Sequence, residues 1–166
     1  MPSDNLQLTL KDLLESLPQV GTVRHILLRP EKYVAPMAVQ SVMATQGNGL
    51  EGDRYPSSGA NKRQVTLIQY EHLPVIASLL GVDRIAPELL RRNLVIAGIN
   101  LLALKDKIFT VGDCQMRMTG LCHPCSRMEK VLGHGGYNAM RGHGGITARI
   151  VRDGLIRVND AVHVVR

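Results

Sequence analysis

The sequence predicts a mostly-β fold, either a barrel or a sandwich, with a few short helices inserted. Roughly seven to nine segments are short, rich in β-branched residues and bounded by turn residues, as strands are. Few segments have the apolar spacing of a helix. Strands and helices do not alternate regularly, so a parallel sheet built from strand–helix–strand units is not expected.

The first part of the chain is predicted to contain one helix followed by strands. Leucines recur at helical spacing over residues 5–17, and we expect an amphipathic helix that ends before Pro18. The segments "GTVRHILL" (21–28), "MAVQSVMAT" (37–45) and "QVTLIQ" (64–69) are typical of strands. The intervening "QGNGLEGDRYPSSGANKR" (46–63) is predicted to be a long, turn-rich loop.

Two short helices are predicted in the middle of the chain. "EHLPVIASLLG" (71–81) has a helical apolar face and ends at a glycine, and its Pro74 must then lie in the first turn. "APELLRRN" (86–93) has Pro87 at a favourable first helical position. "LVIAGINLLAL" (94–104) is predicted to form one strand, or two strands around Gly98.

The last part of the chain is predicted to be mostly strands. "DKIFTVGDCQMRMTG" (106–120) resembles two strands joined at "VGD". In "GITARIVRDGLIRVNDAVHVV" (145–165) we expect strands on either side of an Asp153-Gly154 turn, then a turn at Asn159-Asp160 and a final strand.

Composition favours a single soluble domain that binds anions. The chain has 166 residues and a formal charge of +6. Fourteen of its twenty basic residues are Arg, whose planar donor groups suit phosphate, so a small phosphate-bearing ligand is expected. Nucleic acid is not expected, because the basic residues are scattered and aromatic residues make up only 3% of the chain.

The compartment expected from the sequence is the cytoplasm, with no membrane partner. The N-terminus has early acidic residues and no uninterrupted apolar core, so a signal peptide is not predicted. No apolar run reaches the ~18 residues that a membrane span requires. The three cysteines are an odd number and give no disulfide framework.

Cys125 is the side chain that its neighbours in the sequence mark as reactive. Ser126 and Glu129 have the spacing of a capping box, which predicts a helix beginning at Ser126 with Cys125 immediately ahead of it. Unpaired amides at a helix N-terminus favour negative charge, and Arg127 is close in sequence. Such surroundings favour thiolate over thiol, which makes a nucleophile or a metal ligand.

The two neighbouring cysteines could also form a redox pair, belong to a zinc site or serve only in packing. In a thioredoxin-like pair the first cysteine caps the helix, whereas here the second, Cys125, is expected to do so. A dithiol redox role for Cys122 and Cys125 is therefore disfavoured. A structural zinc site usually needs four ligands from two separated pairs, and only Cys122 and Cys125 form a pair. Both cysteines could instead be packing residues, and Cys114 is expected to be one.

Glycine and arginine segments surround the cysteines in sequence. "GHGGYNAMRGHGG" (133–145) either serves turns that need positive φ, or lets the backbone approach a bulky ligand to which Arg141 and His143 donate. It is not a dinucleotide fingerprint or a phosphate-binding P-loop. Asp53 and Arg54 in "GLEGDR" (49–54) would suit the rim of a polar pocket.

In their order along the chain, several of these segments resemble the MOSC domain, named for the C-terminal domain of molybdenum-cofactor sulfurases. They are "GLEGDR", "RQVTLIQ" (63–69), "LLRRNLVIAGINL" (89–101), "VGD" (111–113), "HPC" (123–125) and "GGITARIVRDGLIRVNDAV" (144–162). The resemblance runs from about residue 20 to the end. It divides the chain into an N-terminal helix within residues 1–18, part of the same unit, and a MOSC domain over 19–166.

The resemblance implies a β-barrel-like fold and a pterin-based molybdenum cofactor, or the handling of sulfur destined for it. In stand-alone members a single cysteine ligates molybdenum, and Cys125 in "HPC" matches it. Some members, such as bacterial reductases and the mitochondrial amidoxime-reducing component, reduce N-hydroxylated compounds. The phosphate and pterin contacts are then expected from these residues: Arg54, Arg63, Arg92, Asn93, Arg141 and His143. Asp53 is expected to orient Arg54.

Two functions follow from this resemblance. The first is an enzyme in which Cys125 holds molybdenum and an outside donor supplies the electrons to reduce an N-oxygenated small molecule. The second is a non-redox carrier that delivers cofactor or sulfur. Cys122 departs from the single-cysteine pattern and allows persulfide transfer between Cys122 and Cys125. A third interpretation is a zinc- or anion-binding module without catalysis.

Overall fold

The structure of the chain, a computed structural model, describes residues 7–54 and 62–166. The strands are β1 (Gly21–Leu28), β2 (Met37–Val39), β3 (Ser41–Thr45), β4 (Gly49–Leu50), β5 (Val65–Gln69), β6 (Leu94–Ala97), β7 (Ile108–Val111), β8 (Cys114–Leu121), β9 (Ile146–Arg152), β10 (Gly154–Arg157) and β11 (Ala161–Val164). The α-helices are α1 (Leu10–Glu15), α2 (His72–Leu80), α3 (Ser126–Leu132) and α4 (Gly136–Met140), and 3-10 helices cover Pro87–Leu90 and Leu101–Leu104.

Seven of the strands close into a barrel, which confirms the predicted mostly-β class and selects the barrel over the sandwich. Their order around the barrel is β11-β7-β8-β9-β5-β6-β1, and β1 closes the ring by pairing with β11. The closing pairs are Gly21 with Val162 and Thr22 with Ala161. Only β5 and β6 run parallel among the paired strands of the described residues. The strands β10-β3-β4 form a separate small sheet, and its buried residues, among them Val42, Leu50 and Ile156, pack into the same apolar core.

Apolar side chains fill the barrel because each strand turns alternate residues inward. Val23 of β1, Leu67 of β5, Ile96 of β6 and Phe109 of β7 are all completely buried in this interior core. Phe109 is the only phenylalanine of the sequence and, among the described residues, the largest of the fully buried side chains. The interior is therefore a packed core, and any ligand site must lie outside it.

A second apolar cluster lies on the outer face of the barrel and joins the helices to it. Leu27, Ile68 and Val95 come from β1, β5 and β6, and they pack with Ile76 of α2 and Met128 of α3. Strands β5 and β6 are thus buried on both faces, which explains their continuous apolar runs. The cluster fixes α2, α3 and α4 against one side of the barrel, where the candidate site lies.

Several predicted elements are confirmed. β1 has the predicted bounds, and β7 and β8 form the two strands joined at "VGD". α2 ends at Gly81, whose φ of 69° places it in the left-handed region, and Pro74 is its third residue. Pro87 begins the first 3-10 helix as predicted. A helix begins at Ser126, also as predicted.

Two predicted strand assignments are wrong in part. Residues 37–45 form two strands, because the chain leaves β1 at Gln40 and β3 pairs with β10 instead. The second half of 94–104 is a 3-10 helix, because Gly98 turns the chain and Asn100 caps the helix by accepting from the Leu102 amide at 3.1 Å. The strands predicted on either side of Asp153-Gly154 are confirmed as β9 and β10, and β10 pairs along β3.

The N-terminal helix is shorter than predicted and presents its apolar residues to solvent. It is capped by Thr9, whose amide donates to Asp12 Oδ2 at 2.8 Å while the Asp12 amide donates to Thr9 Oγ1 at 3.2 Å. Leu10, Leu13 and Leu14 are exposed, and Leu17 packs on the barrel core. The part of this prediction that covers residues 5 and 6 lies outside the described residues, as does 55–61 of the predicted loop.

No helix within residues 7–54 and 62–166 has the length and apolarity needed to cross a bilayer.

Candidate functional site

Cys125 caps helix α3 with its side chain free. Its backbone is extended, with φ −120° and ψ 173°, and its carbonyl accepts from the Met128 amide at 2.9 Å. The thiol makes no capping hydrogen bond, and the residue is exposed. The chain reaches this position from β8 through Cys122, His123 and Pro124. The thiol is therefore accessible to a metal or a reagent.

The predicted capping box at this helix is wrong, although the helix begins where predicted. Ser126 is the first helical residue and Cys125 is the cap. Both oxygens of Glu129 are used elsewhere, since they accept from the amides of Gly135 and Tyr137 at 2.8 Å each. These hydrogen bonds hold the pKa of Glu129 below its usual range. Glu129 thus fastens α3 to the first turn of α4.

A strongly basic pocket lies beside the cysteine. It has a volume of about 300 Å³ and is lined by Arg29, Glu31, Lys32, Arg54, Arg91 and Arg127. Among the described residues none of these side chains forms an ion pair. The Nε atom of Arg29 is buried without a hydrogen-bond partner. Five cations against one carboxylate in one concavity favour an anionic ligand, and phosphate suits their donor geometry.

Backbone hydrogen bonds place Arg29 and Arg54 together. The Arg29 amide donates to Asp53 Oδ1 at 2.7 Å, and the Arg54 amide donates to the Arg29 carbonyl at 2.7 Å. Asp53 was expected to orient the Arg54 side chain, and this expectation is wrong, because its carboxylate accepts the Arg29 amide instead. The end of β1 and the loop after β4 are joined in this way at the rim of the pocket.

Arg91 and Arg127 connect the basic pocket to Cys125. Arg91 has a φ of 59°, a left-handed conformation that costs energy in a residue with a Cβ. Burial lowers the pKa of Arg91, the charges of Arg29 and Arg127 lower it further, and the nearby Cys125 opposes them. The Arg127 guanidinium lies over the Tyr33 ring at 4.7 Å from its centroid, a cation–π contact that holds it at the pocket.

Arg92 is a buried junction of three chain segments. Its guanidinium donates to the carbonyls of Gly144 at 2.8 Å, Leu90 at 2.8 Å and Cys122 at 3.3 Å. Burial lowers its pKa, and the two nearby cysteines, Cys122 and Cys125, raise it. Arg92 therefore holds the cysteine segment in place through the backbone.

Asn93 is also buried and joins two strands of the barrel. Its Oδ1 accepts from the Thr66 amide at 3.0 Å, and its Nδ2 donates to the Leu27 carbonyl at 3.2 Å. These contacts tie β5 to the end of β1, where Arg29 follows. The side chain thus supports the position of the basic pocket from within the protein.

The glycines at 144 and 145 let segments of the protein's own backbone approach each other. A Cβ at Gly144 would collide with the Cys122 carbonyl oxygen, and Gly145 has a φ of 86° and lies against Leu67. The Cys122 amide donates to the Gly145 carbonyl at 2.9 Å. At these two glycines the close approach is to the protein's own backbone, and it positions Cys122. The alternative, that the segment lets the backbone approach a ligand, stays a prediction.

A second cavity of about 180 Å³, called the uncharged cavity because no Asp, Glu, Lys or Arg lines it, is bordered by residues 122–124 of the cysteine segment. It is lined by Gln69, His72, Asn100, Leu101, Leu102, Leu121, Cys122, His123, Pro124, Gly142, Gly144, Gly145 and Ile146. The His72 and His143 rings meet edge to face with centroids 5.1 Å apart. The Nδ1 atoms of both are buried without a partner. Burial, then the neighbouring His143, lowers the pKa of His72, while Glu71 opposes both.

The structure brings together part of the predicted residue set. Arg54 lines the basic pocket, Arg92 lies between the pocket and the cavity, and His143 contacts His72 at the cavity. Arg63 and Arg141 are exposed and line neither space.

Four cations of the basic pocket were missing from that set: Arg29, Lys32, Arg91 and Arg127. Arg127 had a signal in the sequence, because it follows Cys125 by two residues. Arg29 had only its position at the end of a strand and before Pro30.

Cys114 and Cys122 differ from Cys125 in accessibility. Cys114 is completely buried in β8, and burial raises its pKa to about 12. Its predicted packing role agrees with this position. Cys122 is 5% exposed and borders the uncharged cavity. Cys125 is thus the one exposed cysteine of the three.

Comparisons with protein families and with solved structures both identify MOSC-type proteins as similar to this chain. The family described as MOSC domain matches residues 54–163, well over half of the chain. The crystal structure of the YuaD protein from Bacillus subtilis superposes with a TM-score of 0.75 at 20% identity, covering 90% of this chain and 100% of that one.

Two further crystal structures have the same fold. YiiM from Escherichia coli has a TM-score of 0.68 at 18% identity, covering 87% of this chain and 70% of its own. YiiM from Geobacillus stearothermophilus has a TM-score of 0.71 at 16% identity, covering 88% and 75%. A search of curated protein sequences found no match.

Proposed function

This chain belongs to the MOSC domain family, and from that premise we propose that it binds a pterin-based molybdenum cofactor and uses it to reduce N-oxygenated small molecules. Cys125 ligates the metal in this proposal, and the basic pocket receives the phosphate of the pterin. An external donor, a partner of unknown identity, supplies the electrons.

The observation that carries the proposal is the exposed Cys125 thiol near five cations that form no ion pair among the described residues. The pocket offers Glu31 as its one acidic lining residue against four arginines and a lysine. A phosphate monoester carries close to two negative charges at neutral pH and accepts several hydrogen bonds. The buried, unpaired Nε of Arg29 is a donor that such an anion would satisfy. These residues fit a phosphate-bearing cofactor with a metal at the thiolate.

Each group of residues has a separate task in this proposal. When bound, the cofactor supplies two-electron redox chemistry at its metal. Cys125 anchors the metal, because a thiolate is a soft ligand for it. Arg91 and Arg127 balance the negative charge of the phosphate and of the thiolate. Arg92 and Asn93 act as positioning residues through the carbonyls and amides that they hold.

The reaction has a defined balance of atoms. Cleavage of the N–O bond in an N-hydroxylated compound consumes two electrons and two protons and releases the oxygen as water. The product is the corresponding amine or amidine. A substrate of this kind and an electron donor of the flavin or iron–sulfur class would complete the reaction.

Reconstitution with molybdenum cofactor tests the metal site directly. Wild-type protein, Cys125→Ala and Cys122→Ala are incubated with the cofactor and desalted, and bound molybdenum and pterin are quantified. We expect nearly one molybdenum per wild-type and Cys122→Ala chain, and loss of the metal in Cys125→Ala. Failure of wild-type protein to retain either molybdenum or pterin would overturn the proposal.

The phosphate assignment is tested with paired arginine variants. Arg54→Gln removes one cation from the basic pocket, and Arg149→Gln removes an exposed one on β9, outside both spaces. We expect weaker pterin retention in Arg54→Gln and wild-type retention in Arg149→Gln. Equal retention in the two variants would place the phosphate elsewhere.

A carrier function is the second candidate, and the two neighbouring thiols favour it. Cys122 borders the cavity while Cys125 is exposed three residues later, so a persulfide formed on one is close in sequence to the other. Mass spectrometry of protein treated with a sulfur donor would detect a persulfide as an added sulfur atom on either residue. Persulfide formation without reduction of N-hydroxylated bases would favour the carrier.

The zinc interpretation has less support. Within residues 7–54 and 62–166, no group of three or more His, Cys, Asp or Glu side chains is arranged to hold a metal ion. Stoichiometric zinc that is lost from Cys122→Ala would revive it.

A further inference from the structure

The uncharged cavity and the basic pocket differ in the charge of the residues that line them. None of its lining residues is Asp, Glu, Lys or Arg, whereas each residue lining the basic pocket is charged. Arg92 lies between the two spaces, since it donates to Gly144 and Cys122, which line the cavity. An anion is therefore favoured in the basic pocket and disfavoured in the cavity.

The cavity has an apolar wall and a polar end. Leu101, Leu102, Leu121 and Pro124 form the wall, and Leu102 and Leu121 are about half exposed, at 50% and 49%. These two leucines mark the side from which a ligand can enter. An apolar ligand bound in the cavity would cover the exposed surface of these two side chains.

The polar end has hydrogen-bonding groups that the protein itself does not use. His72 lines the cavity, and its Nε2 takes part in no hydrogen bond among the described residues, whereas its Nδ1 is buried against His143, away from the accessible space. Asn100 uses its Oδ1 to accept from the Leu102 amide, and its Nδ2 takes part in no hydrogen bond among the described residues. Gln69 is occupied, because its Oε1 accepts from the Leu101 amide at 3.1 Å. His72 and Asn100 are thus the groups that a ligand's polar head would meet.

We propose that this cavity is the substrate site and that it takes compact, uncharged organic molecules whose apolar body lies against the leucines and whose polar head faces His72 and Asn100. The proposal rests on the proposed function, because the cavity adjoins Cys125 through Cys122, His123 and Pro124. Its volume of about 180 Å³ is sufficient for one aromatic ring with a small substituent. Small oxoanions and charged bases are disfavoured, because no Asp, Glu, Lys or Arg lines the cavity to offset the cost of desolvating them.

Binding of three ligands of nearly equal size tests the substrate class. Benzamide is neutral, benzoate carries a negative charge and benzamidine carries a positive charge. Each is titrated into full-length protein with 13C-labelled leucine methyl groups, without added cofactor. We expect benzamide to shift the methyl signals of Leu101, Leu102 and Leu121 with a Kd on the order of 1 mM. Benzoate and benzamidine should shift the same signals with affinities at least about tenfold weaker.

A pair of tryptophan variants locates the ligand. Leu121→Trp narrows the cavity at its exposed wall, and Leu79→Trp places the same side chain on the outer face of α2, where Leu79 is 59% exposed. Benzamide binding should be lost in Leu121→Trp and retained in Leu79→Trp. Leu102→Trp repeats the test from the other exposed leucine if Leu121→Trp does not fold.

The outcomes separate this inference from the cofactor proposal. If benzamide gives no saturable shifts, or if a charged analogue binds the cavity equally well, the inference is wrong even when Cys125 holds molybdenum. Unchanged benzamide binding in Leu121→Trp and Leu102→Trp would also overturn it. Benzamide binding by a protein that retains neither molybdenum nor pterin would overturn the cofactor proposal, and with it the assignment of the cavity as a substrate site.

Discussion

Arg92 is the residue on which the local structure of the site depends most. It is 7% exposed, and its guanidinium satisfies three carbonyls from separate segments. Replacement by methionine keeps the apolar stem but leaves those carbonyls unpaired. We expect Arg92→Met to lower the free energy of unfolding by about 3 kcal/mol, measured by urea denaturation.

The matched control for this prediction is Arg141→Met, because Arg141 is exposed and lines neither the pocket nor the cavity. Its free energy of unfolding should change by less than about 0.5 kcal/mol. An Arg92→Met protein as stable as the wild type would mean that water replaces the guanidinium without loss.

The three cysteines should differ sharply in alkylation. Cys125 is exposed, whereas Cys114 is fully buried and its pKa is raised to about 12, mainly by burial. At pH 8 only about one Cys114 in ten thousand would be thiolate, and the thiolate is the nucleophile. Peptide mapping after brief iodoacetamide treatment should find the label on Cys125 and none on Cys114. Labelling of Cys114 in folded protein would contradict both its burial and its pKa.

At the scale of elements, α3 and α4 form one unit held by Glu129. Its two carboxylate oxygens accept the Gly135 and Tyr137 amides, and a Cβ on Gly136 would lie only 2.6 Å from the Leu132 Cβ. This tight connection sets the direction of α3 and therefore the position of Cys125. The first "GHGG" segment (133–136) thus serves the contact between the helices.

Acid should weaken this unit in a predictable direction. Hydrogen bonds from the Tyr137 and Gly135 amides lower the pKa of Glu129 from its usual 4.5. A carboxyl whose pKa is lower in the folded state stabilises the fold above its unfolded pKa, and this contribution is lost as the pH falls through the folded pKa. Glu129→Gln should be less stable than wild type at pH 7, and the difference should shrink below pH 4.5.

Denaturant unfolding at several pH values measures this difference, and Glu15→Gln is the control. Glu15 is an exposed carboxylate on α1, and its replacement should leave the curve of stability against pH nearly unchanged. A difference between Glu129→Gln and wild type that is the same at pH 3 and pH 7 would exclude the charge as the cause.

A strand or helix could be predicted from the sequence when the residues that determine it, including its pairing partner, are close in sequence. β7 and β8 are joined by a short turn and pair with each other, so turn chemistry and alternation were enough to predict them. β10 could not be assigned a partner, because it pairs with β3, more than a hundred residues earlier. The 3-10 helix Leu101–Leu104 was missed because its apolar run has the composition of a buried strand.

At the scale of the whole molecule, barrel closure assembles a site that the sequence describes only in fragments. The position of Cys125 ahead of a helix could be predicted from Ser126 and Glu129, although Glu129 contacts α4 instead of forming the capping box. The basic pocket could not, because Arg29, Arg91 and Arg127 come from the end of β1, the segment before β6 and helix α3. Only the pairing of β1 with β6 and the packing of α3 on the barrel bring them together.

The net charge of +6 is unevenly placed, and the basic pocket should make the stability of the whole molecule depend on phosphate. A ligand that binds only the folded state stabilises it, and 10 mM phosphate with a Kd of about 1 mM would contribute roughly 1.4 kcal/mol. For a domain of this size that corresponds to a rise in Tm of about 4 °C. Sodium chloride at the same ionic strength should give a smaller rise in Tm, because screening relieves repulsion between the cations without filling the pocket.

Arg54→Gln should lose most of the phosphate-specific rise in Tm, while Arg149→Gln should keep it. Equal effects of phosphate and chloride on wild-type Tm would mean that the cations of this pocket are only a diffuse surface charge.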